Sequence, residues 1–189
     1  MKKQTNKILI ILLLICILAF IQIGGNIRLY NNAKTHFVSS ATHKVYSVSV
    51  NLGLALSRSD ETFDAAIGAT RIYLAELVEH FRITDYALRY NVLWKEHYFL
   101  EGLGDAYMAI TFVQDKFESI YQKHINGDEL DESDFTYLSE LKDALDELCN
   151  SLRNEDGSLK EKATKSSYFV ERFNKFITAI YIKGYVIVD

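Results

Sequence analysis

The stretch Phe63-Asp-Ala-Ala-Ile67-Gly-Ala-Thr70-Arg-Ile-Tyr-Leu74-Ala-Glu-Leu77-Val-Glu-His-Phe81-Arg-Ile-Thr84-Asp-Tyr-Ala-Leu88 decides the fold. Its numbered residues recur at alternating intervals of four and three. That period lays one apolar stripe along one face of a helix. A half-buried strand would alternate every second residue instead. The helix is expected to break near Asn91, with Thr84 as a rival cap.

The same rhythm extends to both sides. Upstream, Val38, Ala41, Val45, Val48, Leu52 and Ala55 form a first seam. Arg58-Ser59-Asp60 then reads as a turn, with Ser59 or Asp60 as N-cap. Downstream, Phe99, Leu103, Ala106, Ile110, Val113, Phe117 and Ile120 form a third seam, closed by the turn pair Asn126-Gly127. Asp131 or Ser133 caps a fourth helix, with Glu132 and Asp134 suited to its positive end. Its seam is Leu138, Leu141, Leu145, Leu148 and Leu152. Asp156-Gly157 marks the next turn, and Ser158-Leu-Lys-Glu161 reads as a capping box. A fifth seam runs Phe169, Phe173, Phe176, Ile180.

An apolar stripe in water is unfavourable by roughly 25 cal/mol per Å², so each seam needs a partner. The fold class expected is all-α. It comprises an N-terminal transmembrane helix followed by a four- or five-helix antiparallel up-and-down bundle. A sustained heptad can also signal a coiled-coil oligomer. Short turns and five different seams favour packing within the chain.

Composition agrees. Proline is absent from the 189 residues, where average usage would give roughly nine. Proline breaks helix interiors, so its absence suits long helices. Of 21 lysines and arginines, Lys2, Lys3 and Lys7 precede the apolar head; the 18 that follow face 25 acids. An acidic body argues against nucleic acid as a partner.

Residues 8–27 carry no charge, and Ile8 to Ile21 is unbroken apolar sequence. Such a length spans about 30 Å as a helix, the thickness of a bilayer core. The three preceding lysines orient the N-terminus inward. The expected division is a signal-anchor segment over 1–25 and an extracytoplasmic bundle over 26–189. Gly24-Gly25 weakens a helix without forbidding it, so the first bundle helix is free to run on from the apolar segment. Arg28 and Tyr30 read as interfacial anchors that favour retention. The alternative is a cleaved signal peptide. It would need small residues in an Ala-x-Ala-like arrangement, which Ile23-Gly24-Gly25 matches poorly. Cys16 lies in the apolar segment and Cys149 on a predicted helix, so no disulfide is expected. Ile15 stands before Cys16 where a bacterial lipoprotein signal has Gly, Ala or Ser.

No chemical motif stands up. Glu76 with His80, and His97 with Glu101, sit four apart, whereas ferritin-like ligands sit three apart and point inward. They read as helix-surface pairs. His36 and His43 share a face opposite the first seam and lack a third ligand. The run Asn126-Gly-Asp128, Asp131, Asp134 resembles a calcium loop, but His124 stands at its first ligand position and no glutamate closes it. An acidic helix start explains it better. Phosphate loops, nucleophile elbows and His-Glu-x-x-His are absent from the sequence. No catalytic residue, metal or cofactor is therefore expected.

Tyr86, Tyr90, Trp94 and Tyr98 recur every four residues, with Arg82, Arg89 and Lys95 among them. The first helix leaves the membrane and the second returns, so this turn falls near the outer leaflet. Tyr and Trp favour that depth. The four are the candidate contact with membrane surface or partner; the competing reading makes them plugs at the end of the core. The architecture is similar to extracytoplasmic sensor modules of bacterial receptors. Those carry a second span, and Phe176 to Val188 is too short for one and interrupted by Lys183. The function expected is noncatalytic binding of a protein partner or ligand in the cell envelope, on a single-pass membrane protein. The alternatives are a secreted helical binding protein and an envelope metal protein or enzyme.

Overall fold

The computed structural model describes residues 2–57, 60–89 and 103–184. Five α-helices occur among them: α1 (Lys2–Leu56), α2 (Asp60–Arg89), α3 (Leu103–Ile125), α4 (Glu132–Leu152) and α5 (Ser166–Gly184). A single 3-10 turn, Glu161–Thr164, precedes α5. The described residues hold no strand, only an isolated bridge between Arg153 and Leu159. The chain divides into two compact units, residues 1–36 and 37–189.

In the first unit α1 begins at Lys2 and runs through Gly24-Gly25 without a break. The described side chains Leu13, Leu14, Ile15, Ile17, Leu18, Phe20, Ile21 and Ile23 are 46 to 75% exposed. They cover every face of the helix, so no apolar stripe distinguishes one side. Among the described residues no helix is long and apolar enough to cross a membrane. The side chains of residues 8–12 lie outside the described set. What remains of the apolar run, Leu13 to Ile21, reaches only about 14 Å at the helical rise, half a bilayer core.

The second unit is a helical bundle whose core is built by the five seams. Val38, Ala41, Val45, Val48, Leu52 and Ala55 of α1 are all fully buried. So are Ile67, Thr70, Leu77 and Phe81 of α2, Ile110 of α3, Leu138 and Leu152 of α4 and Phe169 of α5. Cross-contacts set the directions. Phe37 and Lys44 of α1 meet Phe81 and Glu76 of α2. Arg71 and Asp64 of α2 meet Glu118 and His124 of α3. Ser49 of α1 meets Asp146 of α4, and Tyr46 lies under Arg153. Glu147 and Ser151 of α4 meet Lys175 and Tyr168 of α5. In each pair the numbers rise on one helix as they fall on the other, so the partners are antiparallel.

Side-chain size divides the labour. The seam of α1 is almost entirely Val and Ala, and Leu52 is its one entrant among the largest fully buried side chains. The bulk comes from its neighbours: Phe81, Phe169 and Phe173, together with Leu138 and Leu141. Large against small fills the interior at crystal-like density. Phe37, Phe81, Phe169 and Phe173 form one aromatic group at the end of the bundle where α1 enters, with ring centroids 4.6 to 6.5 Å apart.

Three local expectations are corrected. Ser158 does not cap a helix. Its hydroxyl and amide are both bonded to Asp156, and its carbonyl accepts from the Asn154 amide. Gly157, at φ 81°, closes that tight loop, and α5 starts only at Ser166. Thr84 is no cap either: it lies within α2 and its hydroxyl donates to the His80 carbonyl. Glu76 and His80 do not pair. Glu76 binds Lys44, while the His80 ring stacks on Phe37 at 4.9 Å with 9° between planes.

Candidate functional site: a cleft at the Phe63 end of the bundle

The end of α3 builds the first wall. Gly127, at φ 80°, ends the helix in the left-handed region that glycine enters without steric cost. The Asp128 amide bonds back to the Lys123 carbonyl and the Gly127 amide to that of His124. This double bond pattern turns the chain sharply while satisfying orphan carbonyls. Asp128 and Glu129 are thereby set beside His124 of the last turn.

The start of α4 builds the second wall. Asp131 is its N-cap and completes a reciprocal box with Asp134: each side chain accepts from the other's backbone amide. The Ser133 hydroxyl, first, and the Asp134 amide bind the Asp131 carboxylate and draw its pKa down from 3.8 to about 2. Asp134 is buried, and Lys123 closes on it at 2.8 Å. Leu130 and Phe135 flank this box and face the cleft.

The first turn of α2 supplies Phe63 and Asp64. Phe63 heads the second seam yet stays half-buried, because its neighbours at this end are the edge of His124, 4.8 Å away, and the Phe135 ring at 6.5 Å. The His124 imidazole donates to the Asp64 carboxylate at 2.7 Å.

These three elements enclose an open cleft of about 500 Å³. Its floor is Phe63, Leu130 and Phe135. Its rim is the His124–Asp64 pair with the carboxylates of Asp128 and Glu129. No lysine or arginine lines it. Among the described residues no group of three His, Cys, Asp or Glu converges as metal ligands. The chemistry offered is therefore apolar contact under negative charge.

Tyr86 of the expected contact ladder lies on α2, where its backbone alone is described. Tyr90, Trp94 and Tyr98 lie outside the described residues, as do His97 and Glu101. His36 and His43 are exposed. The cleft brings together residues that sequence reasoning treated apart. His124 and Asp64 are separated by 60 positions, and no periodicity links them. The one sequence signal was the interrupted calcium-like run, with His124 in place of an acid. The chain matches no protein-family model, no curated protein and no solved structure, so the reading of this cleft stands on its geometry.

Proposed function

We propose that this chain is a noncatalytic, membrane-tethered binding module: a single N-terminal span, with the helical bundle outside the cytoplasm engaging a protein partner or ligand. The observation that carries the tether is the all-round exposure of Leu13 through Ile23 on a helix. Apolar side chains on every face have no partner in water and a natural one in lipid. The lysines at positions 2, 3 and 7 set the N-terminus inside. The binding role draws on the open cleft and on the scarcity of anything catalytic around it. Its lining has one imidazole already bound to a carboxylate, and no serine, threonine or cysteine beside it.

Alkaline carbonate extraction of membranes, followed by N-terminal sequencing, tests the tether. The protein is expected in the pellet with its N-terminal segment intact. Release into the supernatant with a mature start near residue 25 would instead make it a secreted binding protein.

The aromatic ladder belongs to the same reading. Because α2 runs antiparallel to α1, its C-terminus returns to the Phe37 end of the bundle, where the chain arrives from the apolar segment. The connection over 90–102 leaves from that end, and it holds Tyr90, Trp94 and Tyr98. Lipid-borne quenchers in reconstituted vesicles are expected to reduce the emission of Trp94, the sole tryptophan. Emission unchanged by quenchers at every depth would remove the ladder from the membrane surface.

A further inference from the structure

The acids at the Phe63 end of the bundle fall into two sets. Asp131 and Asp134 satisfy helix amides and Lys123, Asp64 holds His124, and Glu118 holds Arg71. Asp128 and Glu129 are different: both are exposed, both line the cleft, and neither carboxylate has a hydrogen-bonding or ionic partner among the described residues. They stand directly above the apolar floor of Phe63, Leu130 and Phe135.

That arrangement selects a charge and a shape together. Three carboxylates with no lining cation repel anions and attract a cation. A bare metal ion is disfavoured, because no three ligands converge. An organic cation fits both parts. Its aliphatic stem covers the phenyl rings while its charged head reaches the rim, the division that long basic side chains make on any apolar surface. A guanidinium or ammonium over a ring face adds cation–π attraction. The two rings are tilted by 54° at 6.5 Å, too close to admit a group between them, so the ligand lies across both. The cleft is open at the end of the bundle, which lets a side chain enter while the backbone bearing it stays outside.

We infer that this cleft docks a basic segment of a partner protein, with an arginine or lysine side chain lying across Phe63 and Phe135 and its charge met by Asp64, Asp128 and Glu129. The inference deepens the binding role proposed above and is independent of the tether. Carbonate extraction and the titration below fail separately.

The full chain in a nonionic detergent is titrated with a fluorescent, end-blocked glycine peptide carrying two arginines. The same peptide with citrulline in place of arginine, and spermidine, serve as competitors. The arginine peptide is expected to bind saturably. Asp128→Asn with Glu129→Gln is expected to weaken it about tenfold, since exposed ion pairs contribute a few-fold each. Both positions are exposed, so the double variant keeps its thermal transition. Phe135→Leu is expected to weaken binding by a smaller factor through loss of the ring face. Equal affinity for the citrulline peptide, or an unchanged affinity in the double variant, would overturn the site. Displacement by spermidine at lower concentration than the arginine peptide would overturn the protein source in favour of a small polyamine.

Discussion

At the scale of single residues, the end of the bundle is organised by where its carboxylates spend their charge. Asp131 is held charged by the Ser133 hydroxyl and the Asp134 amide, which lower its pKa to about 2. A carboxylate depressed in the folded state stabilises fully above its unfolded value, and that stabilisation is lost as pH falls through the folded value. Asp131→Ala is therefore expected to lower the melting temperature at neutral pH by losing the cap. The difference from wild type is expected to hold down to about pH 4 and to shrink toward about pH 2. Thermal melts across that range check it; a gap that stays constant to the acid end would mean the carboxylate's charge is irrelevant to the cap. The acidic run was legible as a helix start, and Asp131 is indeed the N-cap. The reciprocal partner was not: an Asp at the third helical position does the work usually sought from Glu or Gln.

Among the elements, α2 shows how far periodicity reaches. Ile67, Thr70, Leu74, Leu77 and Phe81 are buried in the order that the spacing predicts, and Thr70 takes its place by bonding back to the Ala66 carbonyl. The seam loses its meaning toward the helix ends. Phe63 and Thr84 are only half-buried, because the last turns of a bundle helix have neighbours on fewer sides. The start of α5 was misplaced for a related reason. Ser158 and Glu161 have the right spacing for a box, but the loop from Asn154 to Ser158 claims the serine first. Local pattern identifies what a residue can do, while competition among nearby partners decides what it does. Phe81 tests the core of α2. Phe81→Ala is expected to cost about 3–5 kcal/mol in urea denaturation. Ile83→Ala, two positions on and 55% exposed, is expected to stay within about 0.5 kcal/mol. Similar losses at both positions would mean that Phe81 is not in a closed core.

For the whole molecule, the fold class and the helix sequence were legible because five seams repeat one signal, and repetition averages out local error. The cleft was not, because it is made by chain ends meeting across sequence: Asp64, His124 and Phe135 come from three helices, and nothing in their neighbourhoods marks them as companions. The bundle also depends on its last helix. Phe169, Phe173 and Phe176 are buried against Phe37 and Phe81. Truncation after Lys165 is expected to leave a chain that limited trypsin degrades at least tenfold faster than the full protein, as its core opens to solvent. Equal resistance would show that the first four helices close without α5.

The lightness of α1 has a consequence in time. Its seam of Val and Ala is the first of the bundle to be synthesised, yet it is finished by side chains from far along the chain. Ser49 awaits Asp146, 97 positions later, and Phe37 awaits Phe169. Loops of that length close late, so a nascent α1 emerges with nothing to cover it until nearly the entire polypeptide has been delivered. Small residues bury little apolar area each, which keeps that waiting strand of the architecture less adhesive than a leucine-rich one would be during its exposed interval.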